Sequence, residues 1–202
     1  MGSGNTNTDR ISYLPDPIRS HIVSFLPMKD AMRTSILSKK WKHVCSSLSR
    51  LEFNQSDITG TDFVNFVDEM LFRHDGSDIQ RFCLKINLNS AYISSRRISM
   101  WISFALRHNV QDLELFINHS EIARLPFDLF TCSTIRELSL NCFQIEWPTI
   151  LRFPVLRKLY IEELSFENED TFHKLISSST SPMLEDLEIQ SCFLGCSHSF
   201  HL

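Results

Sequence analysis

The sequence predicts an α/β protein in which a short unit of three helices is followed by a longer solenoid of strand-containing repeats. Apolar residues between positions 14 and 48 recur at helical spacing and are interrupted by proline. From position 79 onward, one short apolar pattern with the alternation of a strand returns five times. The chain has 202 residues, of which 43% are hydrophobic and 22% charged, which is the composition of a globular protein with a real core.

Three short helices are predicted before residue 50. The first begins at Asp16-Pro17, because Asp accepts hydrogen bonds from free N–H groups of a first turn and Pro fits there without an N–H of its own. Pro27 ends this helix, a second begins at about Lys29, and Ser38 caps a third. The apolar residues at helical spacing are Leu14, Ile18, Ile22, Phe25 or Leu26, Ala31, Met32, Ile36, Trp41, Val44 and Leu48.

This helical unit is too small to bury its own apolar surface. Units below about 40 residues usually need a metal, disulfides or a partner. The segment contains no cluster of Cys and His. We therefore expect a protein partner to cover part of it.

The segment "RISYLPDPIRSHIVSFLPMKDAMRTSILSKKW" resembles the F-box motif in its plant F-box/leucine-rich-repeat form, and the resemblance covers residues 10–53. It implies docking on a Skp-type adaptor protein, which links the chain to a cullin scaffold and a ubiquitin-conjugating enzyme. The adaptor contacts that the resemblance implies are Leu14, Pro15, Ile18, Leu37, Ser38, Lys40 and Trp41. An apolar patch with a Trp anchor and a Pro-stiffened entry has the chemistry of an interface hot spot.

Other residues of the segment are assigned to its interior. We expect Ile22, Leu26 and Val44 to be core rather than contacts. Cys45 stands where many members of the family carry a second Trp, which would thin the packing of the third helix.

The body of the chain is a predicted leucine-rich-repeat solenoid. The pattern apolar-x-x-apolar-x-apolar begins at Ile79, Val110, Ile135, Leu156 and Leu184, at intervals of 31, 25, 21 and 28 residues. Leucine-rich repeats run about 20 to 29 residues, so this is an irregular version in which each repeat buries its leucines against its neighbours. The predicted organisation is a flexible tail (1–8), an F-box (9–53), a linker with one helix (54–78) and about five repeats (79–202), the last one incomplete.

The residues that flank the central apolar positions of each strand point to the opposite side of the sheet and would line a concave face. They are Arg81, Cys83, Lys85, Asp112, Glu114, Phe116, Glu137, Ser139, Asn141, Lys158, Tyr160, Glu162, Asp186, Glu188 and Gln190. Carboxylates dominate the middle and distal strands, so our hypothesis is a target protein with a basic surface; the alternative is an ordinary hydrated sheet face. The predicted target contacts are Asp112, Glu114, Phe116, Glu137, Asn141, Lys158, Tyr160, Glu162, Asp186 and Glu188.

No catalytic, cofactor or metal site is predicted. Five glycines leave no phosphate-binding loop. The pairs Glu162-Glu163 and Glu169-Asp170, expected at a strand edge and in a loop, are not predicted to carry out acid–base chemistry. Cys192, Cys196, His198 and His201 formally supply four zinc ligands, but the two His are too closely spaced, so we expect a frayed, uncharged end.

Charge and hydropathy limit the remaining partners. A net charge of −4 argues against a surface shaped throughout for nucleic acid, although residues 28–43 carry +4 and leave a nucleic-acid-binding alternative open. No uncharged stretch is long enough to span a membrane and no secretion signal is recognisable. We therefore expect reduced cysteines and a location in the cytoplasm, the nucleus or both. The myristoylation-like start at Gly2 is interpreted as a polar tail.

The resemblance also implies a longer protein. Members of the family generally continue through more repeats, often into a C-terminal FBD domain, so we expect a short gene product, a truncated isoform or a degenerate member of the family. Its least stable part is predicted to begin at about Ser177. The functional hypothesis is a non-enzymatic substrate-recognition adaptor of an SCF-type (Skp–cullin–F-box) ubiquitin ligase. The alternative is a leucine-rich-repeat scaffold with a vestigial F-box.

Overall fold

The computed structural model describes residues 13–35, 38–58, 62–87, 93–118, 124–142, 145–166, 168–194 and 198–200. Its helices are α1 (Asp16–Ser24), α2 (Met28–Thr34), α3 (Lys39–Ser46), α4 (Asp62–Arg73), α5 (Ser95–Arg107) and α6 (Glu169–Ile176). Its strands are β1 (Arg50–Asn54), β2 (Arg81–Ile86), β3 (Asp112–Ile117), β4 (Glu137–Cys142), β5 (Lys158–Glu162), β6 (Ser165–Phe166), β7 (Asp186–Gln190), β8 (Cys192–Leu194) and β9 (His198–Phe200).

The three predicted N-terminal helices are present. Ser38 caps α3 as predicted, since its Oγ accepts a hydrogen bond from the Trp41 N–H at 3.4 Å. The predicted cap of α1 is wrong: Pro15 occupies the cap position, and the Asp16 carboxylate instead pairs with Arg19 one turn later. A carboxylate inside the first turn is still favourable there, because it faces the positive end of the helix dipole.

The repeats form one parallel sheet of six strands in the order β1-β2-β3-β4-β5-β7. The register aligns the predicted leucine positions into two rows across the sheet. The rows are Leu51, Phe82, Leu113, Leu138, Leu159 and Leu187, and Phe53, Leu84, Leu115, Leu140, Ile161 and Ile189. All are buried except Leu187 of the last strand, which is 43% exposed. The continuous stacked core predicted from the repeat is confirmed.

Helices cover the apolar side of this sheet. The buried residues of α4 and α5 belong to the same apolar cluster as the strand leucines, as do Leu129 and Phe130 of a 3₁₀ turn at Phe127–Thr131. In an amphipathic helix packed on a sheet, one stripe is buried and the other faces water. The opposite side of the sheet consequently carries its polar residues.

Two parts of the fold differ from expectation. β1 pairs with β2, so the segment assigned to the close of the F-box is also the first strand of the repeat sheet. Glu169 and Asp170, expected in a loop, lie in the first turn of α6, where Asn168 Oδ1 accepts from the Thr171 N–H at 2.9 Å.

The C-terminal segment is more ordered than expected. β8 pairs in parallel with β6 and antiparallel with β9, so the prediction of a frayed end is wrong for these strands. Cys192 is the buried first residue of β8, whereas Cys196 and His201 of the rejected zinc set lie outside the described residues. Within the described ranges, no group of three metal-ligating side chains is assembled. None of the helices in those ranges is long and apolar enough to cross a membrane.

Candidate protein-interaction surfaces

One face of α1 exposes a row of large apolar side chains. Ile18, Ile22 and Phe25 fall at i, i+4 and i+7 and are 48%, 37% and 74% exposed, and Tyr13 just before the helix is 77% exposed. Together with Leu14 and Pro15 we call this surface the α1 patch. Four of the eleven exposed large apolar side chains in the described residues lie within positions 13–25. Apolar exposure concentrated in this way marks an interaction site.

Most of the predicted adaptor contacts lie at or beside this patch. Pro15 is exposed and Leu14 half-buried. Lys40 of α3 is exposed and places its ammonium 5.8 Å from the centre of the Tyr13 ring, a cation–π contact that joins α3 to the patch. Ser38 is half-buried as the cap of α3, and Leu37 lies outside the described residues.

Two burial assignments in the helical unit were wrong. Trp41 is only 3% exposed and lies in the core, so it cannot be the surface anchor that we expected and instead supports the unit from inside. Ile22, expected in the core, is exposed on the α1 patch. The reason is the orientation of α1, which turns Arg19 and Val23 inward. Val44 is buried as predicted, and Leu26 packs partly buried against the core.

Cys45 fits the space between α2 and α3. Its thiol donates a hydrogen bond to the Ala31 carbonyl at 3.0 Å and lies 3.4 Å from Thr34 Oγ1. Burial raises the pKa of the Cys45 thiol, while the hydrogen bond with Thr34 opposes that change. Cys45, a small residue with a hydrogen-bond donor, thus links α2 and α3 at the position where the family resemblance predicts a Trp.

The other surface is the polar side of the six-stranded sheet, which we call the polar sheet face. The register brings the predicted flanking residues into rows and adds β1 to each row. The rows are Arg50, Arg81, Asp112, Glu137, Lys158 and Asp186; Glu52, Cys83, Glu114, Ser139, Tyr160 and Glu188; and Asn54, Lys85, Phe116, Asn141, Glu162 and Gln190. The register thus aligns the predicted face residues across the strands, and two of them, Cys83 and Asn141, are buried.

Charged side chains in the proximal half of this face, on β1, β2 and β3, form ion pairs with one another. The Arg81 guanidinium contacts Asp112 and Glu114 and donates to Glu52 at 3.2 Å, and Lys85 lies 2.8 Å from Glu114. Burial opposes ionisation of Arg81, but the hydrogen bond with Asp112 and the neighbouring carboxylates raise its pKa. Burial likewise opposes the charge on Glu114, yet Lys85 and Arg81 lower its pKa. These predicted target contacts, Asp112 and Glu114, already have partners within the chain.

The helical unit also encloses the proximal end of the face. A cavity of about 400 Å³ lies where the end of α1 and the start of α2 meet β1 and β2, and its walls include Val23, Met28, Arg50, Arg81 and Cys83. Burial, reinforced by Glu114, raises the pKa of the Cys83 thiol to about 12. A thiol with so high a pKa is not nucleophilic at neutral pH.

The distal half of the face is open and acidic. β4, β5 and β7 present four carboxylates (Glu137, Glu162, Asp186 and Glu188) against the single ammonium of Lys158, a net charge of −3. Lys158 lies 3.2 Å from Glu137, and among the described residues the other three carboxylates have no ion pair within 4.0 Å. Two of these accept amide hydrogen bonds, Glu162 from Asn141 at 2.7 Å and Glu188 from Gln190 at 2.6 Å.

Tyr160 lies at the centre of this distal half. It lines a depression of about 480 Å³ together with Ser139, Lys158, Asp186 and Glu188. Burial and the hydrogen bond with the Glu162 carboxylate raise the pKa of the Tyr160 hydroxyl to about 12, so Tyr160 is a neutral donor at physiological pH. Of the other predicted contacts, Phe116 is half-buried, and Asn141 is only 7% exposed and therefore offers little surface.

Comparison with known proteins matches both parts of the chain. The F-box domain family matches residues 11–53, and a family described as "FBD-associated F-box protein At5g56370, LRR repeats" matches residues 98–201. The chain belongs to the F-box/leucine-rich-repeat family. No solved structure matches it significantly.

Relatives in Arabidopsis thaliana share this combination. The chain is 39% identical over 193 residues to the F-box/LRR-repeat protein At4g14103, covering 89% of this chain and 49% of that protein. It is 34% identical over 181 residues to the F-box/FBD/LRR-repeat protein At1g51370, covering 89% of this chain and 40% of that protein. This F-box/leucine-rich-repeat chain thus spans half or less of the length of these relatives.

Three residues that matter for the surfaces of this F-box/leucine-rich-repeat protein were missed from sequence. Arg19 is buried on the inner side of α1, and the Asp16–Arg19 spacing of one turn was the available signal. Glu52 lies on the polar sheet face. The signal in the sequence was the apolar pattern at Leu48, Leu51 and Phe53, which begins 31 residues before the pattern at Ile79. His74, described below, gives no signal in sequence.

Proposed function

We propose that this chain is a non-enzymatic substrate-recognition adaptor of an SCF-type ubiquitin ligase, with the α1 patch docking on a Skp-type adaptor and the polar sheet face holding a target protein. The α1 patch carries the proposal, because it leaves four large apolar side chains in water on one surface of the F-box. Burying such a surface against a partner is favourable by about 25 cal/mol per Å². A Skp-type adaptor, itself bound to a cullin, is the partner that the F-box implies.

The joint between the helical unit and the sheet supports the same proposal, because it is short and held by hydrogen bonds. Only residues 47–49 separate α3 from β1. The Asp75 N–H donates to Ser46 O at 2.9 Å and the Gln80 N–H donates to Ser49 O at 2.7 Å. A target on the sheet would therefore be held at a fixed position relative to the docked adaptor. Such positioning supplies the catalytic contribution of an adaptor, since it raises the effective concentration of the target.

His74 strengthens this joint in its neutral form. The Gly76 N–H donates to His74 Nδ1 at 3.2 Å, so Nε2 carries the proton and donates to Leu48 O at 3.1 Å. Burial lowers the pKa of His74, although the hydrogen bond to Leu48 opposes that shift. Protonation of Nδ1 would remove the hydrogen bond from Gly76.

On the sheet, we propose that the distal half binds the target. Tyr160 is the aromatic anchor, and Glu162, Asp186 and Glu188 surround it with negative charge. The target segment that fits is basic, with an Arg or Lys over the Tyr160 ring. Asp112 and Glu114 serve a different purpose here, because Arg81 and Lys85 neutralise them. The proposed place of action is the cytoplasm or nucleus; the five described cysteines are free thiols, which persist in those compartments.

Co-purification with a Skp-type adaptor tests the adaptor role. We expect Ile18→Ala with Phe25→Ala to abolish co-purification, because both side chains form the α1 patch. Phe127→Ala with Ile150→Ala is the matched control, since these apolar side chains are 64% and 68% exposed elsewhere. If both pairs retain the adaptor equally, the α1 patch is not the docking site.

The second candidate function is a leucine-rich-repeat scaffold with a vestigial F-box. The burial of Trp41 favours it, because the chain already covers the largest side chain of the helical unit without a partner. The lifetime of the target protein in cells distinguishes the two functions. In the adaptor, Tyr160→Ala with Glu188→Lys stabilises the target in cells while adaptor binding persists; in the scaffold, target lifetime does not depend on the chain.

A further inference from the structure

A second apolar surface lies on the helical side of the sheet, in the groove between α4 and α5. Phe72 of α4 is 86% exposed and Met100 of α5 is 61% exposed, and both line the groove together with the half-buried Phe104. The groove has a volume of about 1020 Å³. Because the sheet separates it from the polar sheet face, a partner could occupy it while a target is bound.

The floor of the α4–α5 groove is rigid. The Trp101 indole N–H donates to Asp68 Oδ1 at 2.7 Å across the two helices, and Arg97 lies 3.3 Å from the same carboxylate. The ring of Trp101 also meets Phe63 edge to face, with centroids 6.1 Å apart. A groove held open by such contacts is preformed, so a partner does not have to order it on binding.

The charges that line the groove leave two guanidinium groups available. Asp68 pairs with Arg97, and Glu69 pairs with Arg73. Arg96 and Arg107 form no ion pair with any residue that the structure describes, although both line the groove. They are 11 positions apart on α5, about 16 Å at 1.5 Å per residue, with Met100 and Phe104 between them on the same stripe.

We propose that the α4–α5 groove binds an amphipathic helical segment of a partner protein, with apolar side chains on Phe72, Met100 and Phe104 and one carboxylate near each of Arg96 and Arg107. An apolar stripe set between two matching charges is how a helix is recognised in a groove. The walls contributed by two helices fit a rod better than a flat bilayer. The proposal does not rest on the adaptor function.

Fluorescence anisotropy with the full chain tests this proposal. The probe is a labelled synthetic helix of about 15 residues, with Leu at helical spacing and two Glu about 11 positions apart. Its counterpart carries Lys in place of Glu. We expect saturable binding of the Glu peptide and at least about tenfold weaker binding of the Lys peptide.

Variants assign the binding to the groove. Phe72→Ala with Met100→Ala should weaken the Glu peptide by about tenfold or more, whereas Phe127→Ala should not. Arg96→Glu with Arg107→Glu should reverse the preference between the two peptides. All of these side chains are exposed, so we expect each variant to fold, and circular dichroism is the measurement that checks it.

Three results would overturn the proposal. One is the absence of saturable binding of the Glu peptide up to about 1 mM. Another is binding that the Phe72 and Met100 variant leaves unchanged. The third is tight binding to phosphatidylserine vesicles that is lost in the same variant, which would assign the groove to a membrane surface.

Discussion

Replacing Arg81 by Met removes the cation that Glu52, Asp112 and Glu114 share on the polar sheet face. Arg81, Asp112 and Glu114 are each about one quarter exposed, so the network lies between a surface ion pair and a buried one. Exposed pairs contribute about 0–1 kcal/mol, and breaking a buried pair costs about 3–5 kcal/mol. After allowance for screening at this exposure, we expect the free energy of unfolding to fall by about 2 kcal/mol at pH 7.

The pH dependence of this loss separates an electrostatic cause from a loss of packing. The pKa of Glu114 is lowered from its ordinary value of 4.5, so its charge stabilises the fold above that pH and the contribution disappears as the pH falls through the folded pKa. The difference between Arg81→Met and wild type should therefore be largest near pH 7 and shrink below about pH 4.5.

Urea unfolding followed by tryptophan fluorescence measures the difference in the free energy of unfolding near pH 7 and below about pH 4.5. Arg157→Met is the matched control, because Arg157 pairs with Glu185 at 3.5 Å and both side chains are more than half exposed. We expect the control to change stability by less than about 0.5 kcal/mol. A loss that is as small for Arg81→Met, or that stays constant with pH, would show that the ion pairs of Arg81 do not stabilise the fold.

Two further predictions concern the joint and the last repeat. Because the pKa of His74 is lowered from 6.5, protonation of His74 favours unfolding, and the stability of the wild type should decline as the pH falls from about 6.5. His74→Gln should flatten this decline, which urea titrations at several pH values measure. An unchanged pH dependence of stability in the variant would contradict this prediction. Leu159→Ala should cost about 2–5 kcal/mol in a buried row, whereas Leu187→Ala in the same row should cost less than about 1 kcal/mol because Leu187 is already exposed. Hydrogen exchange should likewise be faster in β7 than in β4, and equal protection would contradict a less stable last repeat.

The sheet was the most predictable part of the fold because strand residues alternate strictly. Once the pattern at Leu113 and Leu115 is aligned with that at Leu138 and Leu140, the side of every intervening residue follows. The pattern at Leu51 is harder to assign to the sheet because the same residues also close the F-box. The ion pairs of Arg81 were available in principle, since the aligned repeats place it beside Asp112.

The helical unit was less predictable because both sides of α1 carry apolar residues. The helical spacing places Ile18, Ile22 and Phe25 on one face of α1. It does not show whether that face or the face with Val23 turns toward the core. In the fold α1 packs against α3 with Val23 turned inward, and Trp41 of α3 is buried as well. The depth of a side chain is a tertiary property, so the composition of a helix face alone does not determine it.

Isothermal titration of the purified chain with a recombinant Skp-type adaptor tests whether another polypeptide completes the α1 patch. Phe25 is 74% exposed, so its burial on docking contributes about 2 kcal/mol to the binding free energy. Phe25→Ala should therefore weaken adaptor binding about 30-fold. Phe127→Ala, the control, should leave the affinity unchanged. Equal affinity for wild type and Phe25→Ala, or no binding by the wild-type chain, would contradict docking through the α1 patch.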